Sequence, residues 1–376
     1  MTERPKRFIE CLLPVTICNL KCSYCYIIQE NRREMKYANL QYTPEHIAKA
    51  ISPDRLGGIS YISICGAGET LVQNEAIDII FEILKTGHFV NVTTNGTISR
   101  QFDTILKFPK EYLERLHISF SFHYIELKKR NLLDVFFKNV NKMKEYGASV
   151  LVQFNLTDEY VPYLDEIKKL CIDKVGALPQ VCATRKEFPE TSLFTDLSKA
   201  EYLDKGKNFA SPLFEFTMNN FNKKIKDFCY AGDWSGVLNL ATGELRKCYG
   251  CFDSQNIFED LNKPINFEAI GKHCKLPYCI NSSHFLSLGT IPSRQTPSYY
   301  MLRNREKGEW YSNRMSNFLN HKLQEINAQY SILKKLKINF KGDFENIEKV
   351  IGRALPNNIR ILIRNLMSKL SRGDRS

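Results

Sequence analysis

Three cysteines fall close together near the start of the chain, in the run Cys18-Asn-Leu-Lys-Cys22-Ser-Tyr-Cys25. The spacing Cys-x3-Cys-x2-Cys puts three thiolates on one short loop, which can hold three irons of a [4Fe-4S] cluster and leave the fourth iron open for chemistry. A structural zinc or a closed cluster wants four protein ligands, and no fourth Cys or His lies in the loop. A second group comprises Cys229, Cys248, Cys251, Cys274 and Cys279. Val237 to Leu240 and Glu244 to Cys248, joined by Ala241-Thr242-Gly243, read as a β-hairpin that brings Cys229 and Cys248 together. Cys274 and Cys279 would complete a four-thiol metal site. Cys251 is left over; it could replace Cys248 or Cys279, as could His273 or His284, and spacing alone does not choose between iron-sulfur and zinc. Cys11, Cys65, Cys171 and Cys182 stand alone and read as small buried apolar side chains.

These loops need a scaffold, and hydrophobic runs supply one. Strands are predicted at Phe8 to Val15, Ile59 to Ile64, Phe89 to Thr94, Leu116 to Phe122, Ser149 to Phe154 and Pro179 to Thr184, with helical stretches between them. Those helices span Thr43 to Ala50, Asn74 to Lys85, Leu132 to Tyr146 and Tyr160 to Val175. The alternation predicts an α/β fold with a parallel sheet, rolled into a full or partial barrel. The cysteine loop then follows the first strand. Gly66-Ala67-Gly68-Glu69-Thr70 follows the second, a turn whose small residues let backbone approach a ligand and whose carboxylate can accept from a cation. Thr93-Thr94-Asn95-Gly96-Thr97 ends the third strand. Ser119, Ser121 and His123 share one face of the fourth, and Gln153 and Asn155 lie on the fifth. Taken singly, each of these features also fits a plain turn or a structural histidine.

The chain has 376 residues, 43% hydrophobic and 25% charged, the values of an ordinary globular protein that can bury a full core. No uninterrupted apolar run is long enough for a membrane span, so a cytoplasmic protein is expected, and its twelve cysteines are then metal ligands or buried thiols rather than disulfides. Of the net charge of +12, residues 301–376 carry +9, from 16 Lys or Arg against 7 Asp or Glu. Ile359, Leu362, Ile363, Leu366, Met367 and Leu370 recur at helical spacing with Arg360, Arg364, Lys369 and Arg372 between them, a basic amphipathic helix. It suits peripheral adhesion to an anionic membrane surface or to a lipid-linked substrate, or simple docking on the barrel. Nucleic acid is not expected as a partner, since no recognition motif accompanies the charge.

The cysteine loop, by its spacing, its place after strand one and Tyr24 between the last two cysteines, resembles the signature of the radical S-adenosylmethionine (SAM) superfamily. The resemblance implies a partial (β/α)6 barrel, with Cys18, Cys22 and Cys25 holding a [4Fe-4S] cluster whose open iron chelates SAM. It implies that Tyr24 lies near the adenine and that Gly66, Gly68 and Glu69 stand where the family has a Gly-Gly-Glu-Pro motif for the SAM ammonium. Here Ala67 and Thr70 depart from that motif. Asn95, Ser119, Ser121, His123 and Gln153 are implied as further cofactor contacts. Cys229…Gly243-x4-Cys248 resembles the SPASM or "twitch" auxiliary-cluster extension, and five cysteines suit one auxiliary [4Fe-4S] cluster, on Cys229, Cys248, Cys274 and Cys279. The expected organisation is a core barrel over residues 1–215, an auxiliary-cluster domain over 216–290 and a basic, mainly helical extension over 291–376. The implied activity is reductive cleavage of SAM to a 5′-deoxyadenosyl radical that abstracts hydrogen, with a reducing partner such as flavodoxin or ferredoxin. The expected substrate is a carbohydrate-like or other small alcohol, oxidised or rearranged. The alternatives are a maturase that modifies a ribosomally made peptide and, in a different class, a non-catalytic iron-sulfur or zinc-binding adaptor.

Overall fold

The structure, a computed structural model, describes residues 3–186 and 191–351, with side chains as far as Gly342. Six strands form the scaffold: β1 (Phe8–Leu13), β2 (Tyr61–Gly66), β3 (Phe89–Thr94), β4 (Leu116–Ser121), β5 (Ser149–Leu156) and β6 (Gln180–Ala183). They pair in parallel in chain order, with Phe8 opposite Tyr61 and Val90 opposite Leu116. β6 does not pair back to β1, so the barrel is partial. Helices pack outside it because each has one apolar face: in Glu75–Lys85 the buried side chains are Ala76, Ile77, Ile79, Ile80, Ile83 and Leu84. Thr43 caps Pro44–Ala50 by accepting from the His46 amide, and Gly176, at φ 75°, ends Leu164–Val175.

Two expected boundaries move for local reasons. β1 stops at Leu13 because Pro14 has no N–H to extend the ladder. The helix expected from Tyr160 begins at Leu164, preceded by a 3₁₀ turn over Asp158–Tyr163 that contains Pro162.

After a two-stranded ribbon, β7 (Arg185–Lys186) with β8 (Ser192–Leu193), the chain forms β9 (Ser235–Asn239), β10 (Glu244–Arg246) and β11 (Ser254–Asn256). The expected hairpin is β9–β10, turning through Gly243 at φ 81°. Its placement was not expected: β9 adds in parallel to the free edge of β1, Phe8 opposite Ser235 and Leu12 opposite Asn239. One nine-stranded sheet results, in the order β11-β10-β9-β1-β2-β3-β4-β5-β6.

Residues beyond 291 contribute to the same core. Tyr299 meets Tyr61 edge-on at 5.2 Å and Phe318 stacks on Phe89 at 3.7 Å between ring centroids. Tyr61 and Phe89 open β2 and β3, so these rings cover the N-terminal end of the barrel. Trp310 is fully buried, and its Nε1 donates to the Val175 carbonyl at 3.0 Å. Helix Pro212–Asn220 packs on β6 and against helices Ser282–Phe285 and Tyr299–Arg303. A last helix spans Ile332–Ile351. The basic amphipathic helix expected around residues 359–372 lies outside the described residues. Among the described residues no helix is long and apolar enough to cross a membrane.

Candidate active site

The loop carrying Cys18, Cys22 and Cys25 leaves β1 at the C-terminal end of the sheet. Neighbouring loops tie it down: the Lys21 amide donates to Glu126 Oε2 at 2.8 Å, Ser23 Oγ to Glu159 Oε2 at 2.9 Å, and Asn19 Nδ2 to Thr97 Oγ1 at 2.8 Å. Residues 66–70 run alongside it, with the amides of Ala67, Gly68 and Glu69 donating to the carbonyls of Leu13, Val15 and Ile17. Gly68 is required by this approach, because a Cβ there would lie 2.2 Å from the Ile17 carbonyl oxygen. Glu69 is buried and accepts from Leu71 N at 3.0 Å, Thr94 Oγ1 at 2.5 Å and Asn95 N at 2.7 Å. Burial outweighs those donors and raises its pKa. A carboxylate offers about four acceptor positions, so one remains for a ligand.

A cavity of about 400 Å³ opens beside the loop and runs into the barrel. Cys18, Cys22, Cys25, Tyr24, Gly66, Gly68, Glu69, Asn95, Ser121, His123 and Gln153 all line it. Ser119 does not: its Oγ donates to Asn91 Oδ1 at 2.8 Å, and Asn91 in turn donates to Ser63. Tyr24 OH shares a hydrogen bond with His123 Nδ1 at 2.6 Å, and burial holds His123 down at about 4, hence neutral near pH 7. Gln153 Oε1 accepts from Cys182 Sγ at 3.3 Å.

The donor set fits a cluster open at one iron. Among the described residues the cysteine loop brings three thiols to the cavity, the fourth thiol lining it, Cys182, being engaged with Gln153 on the barrel strands, and Asn95 Nδ2 lies 3.9 Å from Cys18 Sγ as a weak donor to the sulfur. Burial raises Cys18, and Cys22 to about 12, so as bare thiols they resist ionising; a cationic metal centre would reverse that balance. Among the described residues no three candidate ligands stand at single-ion spacing, and a four-iron cube spaces its thiolates more widely than one zinc does.

The second group of thiols also assembles. Burial raises Cys229 to about 12 and Cys248 to about 11, with Cys248, Cys251 and Cys274 adding to the first effect by their charge. Cys279 lies close enough to feel Cys229, Cys248 and Cys274, and the Cys251 amide donates to the Cys248 carbonyl at 3.0 Å. Cys251 and His273 line a second cavity of about 330 Å³, where His273 Nε2 meets the Asn339 carbonyl. His284 instead lines the main cavity.

Sequence reasoning passed over the inner end of the main cavity: Cys182, Ser282, Ser283 and Arg303, with His284 weighed only as a spare metal ligand. These residues come from segments far apart in the chain, and neither periodicity nor spacing marks them.

Residues 12–170 match the model of the Radical SAM superfamily. They are a radical SAM domain. That family's enzymes use a [4Fe-4S] cluster and SAM. A "Probable GTP 3′,8-cyclase" of Pyrobaculum aerophilum is 30% identical over 102 residues, which cover 27% of this chain and 31% of that relative. The match thus spans under a third of the relative's length. Among solved structures, Streptococcus suis SuiB bound to S-adenosylmethionine is similar at 15% identity, with a TM-score of 0.49, over 69% of this chain and 64% of SuiB. anSMEcpe with bound AdoMet is similar at 13% identity and a TM-score of 0.42, over 94% and 97%.

Proposed function

We propose that this radical SAM enzyme removes a hydrogen atom from a small hydroxylated substrate seated below the cysteine loop, and oxidises or rearranges it. Cys18, Cys22 and Cys25 are the proposed cluster ligands, and Cys229, Cys248, Cys274 and Cys279 those of an auxiliary cluster. When bound, the first cluster and SAM supply the hydrogen-abstracting 5′-deoxyadenosyl radical, and the auxiliary cluster supplies an electron acceptor. The observation that carries the reading is one continuous cavity, lined by the three thiols of the cysteine loop and, further in, by Tyr278, Ile280, Ser282, Ser283 and His284, which flank Cys279 in sequence.

The chain's own residues do the positioning. Glu69, Gly66 and Gly68 offer a carboxylate and close backbone to the SAM amino-acid end, and His123, Tyr24 and Asn95 wall the same region. Ser121 and Gln153 add polar contacts. His284 is suited to orienting a substrate hydroxyl: its Nδ1 lies 2.6 Å from Asn281 Oδ1, and Asn281 Nδ2 donates to Glu10 Oε2 at 2.9 Å. This relay puts the ring proton on Nδ1 and leaves the Nε2 lone pair toward the cavity. Burial, with the charge of Arg303, holds His284 well below its ordinary pKa, so it stands neutral and can accept a hydrogen bond from a substrate hydroxyl.

The test is anaerobic reconstitution followed by dithionite and SAM. Iron and sulfide should reach about eight of each per chain if both clusters load, with 5′-deoxyadenosine formed. Deuterium carried from a labelled alcohol into 5′-deoxyadenosine would support the small-substrate reading, and deuterium carried only from a peptide would replace it with peptide maturation. Zinc in place of iron, with no 5′-deoxyadenosine, would refute both.

A further inference from the structure

Arg303 ends the helix Tyr299–Arg303 and is only 2% exposed, yet it lines the cavity. Its Nη1 donates to the Ser283 carbonyl at 2.9 Å, and its guanidinium lies 3.7 Å from the Tyr299 ring centroid. Among the described residues no carboxylate pairs with it, and neither of its other nitrogens is sealed away in protein. Glu10, an acid within its electrostatic reach, forms no ion pair with it and instead accepts from Asn281 Nδ2 and, at 3.7 Å, from Cys65 Sγ. A buried cation without a counter-charge is costly, and a fork of N–H donors facing an open cavity is built for a planar or tetrahedral anion.

Its position separates it from the cofactor end. Arg303 acts electrostatically on Glu10, His117, Cys182 and His284, groups of the barrel interior. Of the other cavity-lining arginines, Arg33 donates to the Cys18 carbonyl beside the cysteine loop, and Arg185 Nη1 donates to the Ile280 carbonyl at 2.7 Å.

We infer that Arg303 binds an anionic group of the substrate, a carboxylate or a phosphate, with the reacting hydroxyl beside it facing His284. The substrate class is therefore a hydroxylated acid or a phosphorylated alcohol. The inference rests on the reading of this cavity as a substrate site.

The experiment uses the full chain, anaerobically reconstituted, with three probes of one skeleton: glycerol, glycerate and glycerol 3-phosphate. Calorimetric titration of the wild type should show one anionic probe binding at least tenfold more tightly than glycerol, and which one identifies the anion. Arg303→Gln should lose that preference by about 10- to 100-fold, the effect of one or two charge-assisted hydrogen bonds. It is expected to fold, because no carboxylate is left unpaired by the change. Arg303→Lys keeps the charge without the fork and should bind several-fold more weakly, and it serves if the glutamine variant unfolds. Equal binding of the three probes, or unchanged binding in a folded Arg303 variant, overturns the inference. Wild-type SAM cleavage is assayed separately: if it is absent while anion binding depends on Arg303, the radical reading fails and the anion site stands.

Discussion

Gly68→Ala tests whether the 66–70 turn fixes the cysteine loop. The added methyl would sit 2.2 Å from the Ile17 carbonyl oxygen and 2.7 Å from its carbon, so the Thr16–Ile17 backbone must retreat. Restoring ordinary contact takes roughly 1 Å of movement. That movement breaks the bonds from Gly68 N to Val15 O and from Glu69 N to Ile17 O, worth about 1 kcal/mol each, and adds about 1–3 kcal/mol of packing strain. The melting temperature should therefore fall by roughly 6–20 °C, using about 2–4 °C per kcal/mol for a domain of this size. A 1 Å displacement of positioned groups costs about 100-fold in rate, so 5′-deoxyadenosine formation per bound iron should fall by about that factor. Gly87→Ala is the control, because its φ of 98° carries backbone strain while nothing lies within 4 Å of the new methyl; it should lower stability and leave cleavage per iron intact. Wild-type cleavage per iron in Gly68→Ala would refute the positioning argument.

Cys22→Ala should abolish SAM cleavage, whereas Cys229→Ala should keep some cleavage and lose substrate turnover; equal loss of cleavage in both would defeat the division between the two thiol groups. Burial raises Glu10 from 4.5 to about 7, so the folded chain binds more protons than the unfolded one between those values, and stability should fall by about 3 kcal/mol as pH rises across that window. Urea melts at pH 5 and pH 8 check this, and Glu10→Gln should flatten the difference. Trp310→Ala should cost about 3–5 kcal/mol, as for a fully buried core aromatic; a drop under 1 kcal/mol in a urea melt would show that the segment after 291 is not part of the barrel core.

The strands, their parallel pairing and the outer helices were legible because alternation and helical periodicity report burial directly, as in β4 and Glu75–Lys85. The lip of the cavity was legible because its residues sit within a few positions of strand ends, where Cys18 to Cys25 and Gly66 to Glu69 carry local spacing. What escaped was long-range placement. Nothing local in Ser235–Asn239 says that it pairs with β1 more than two hundred residues earlier, and nothing in Tyr299–Arg303 says that an arginine in a basic tail turns inward. β11 is three residues long and carries too few side chains to show a period. The prolines that shortened β1 and delayed the helix after β5 were in plain view, and steric reasoning on them would have set both boundaries.

The pairing of β9 with β1 also bears on synthesis. β1 emerges first from the ribosome, but its second neighbour is complete only at Asn239. At about 5–20 residues per second, one edge of β1 stays open for roughly 10–45 s, an unpaired template for other chains. The loop with Cys18, Cys22 and Cys25 spends that interval attached to an unfinished sheet. In the finished molecule β9 covers that edge, so its exposure is confined to synthesis and refolding.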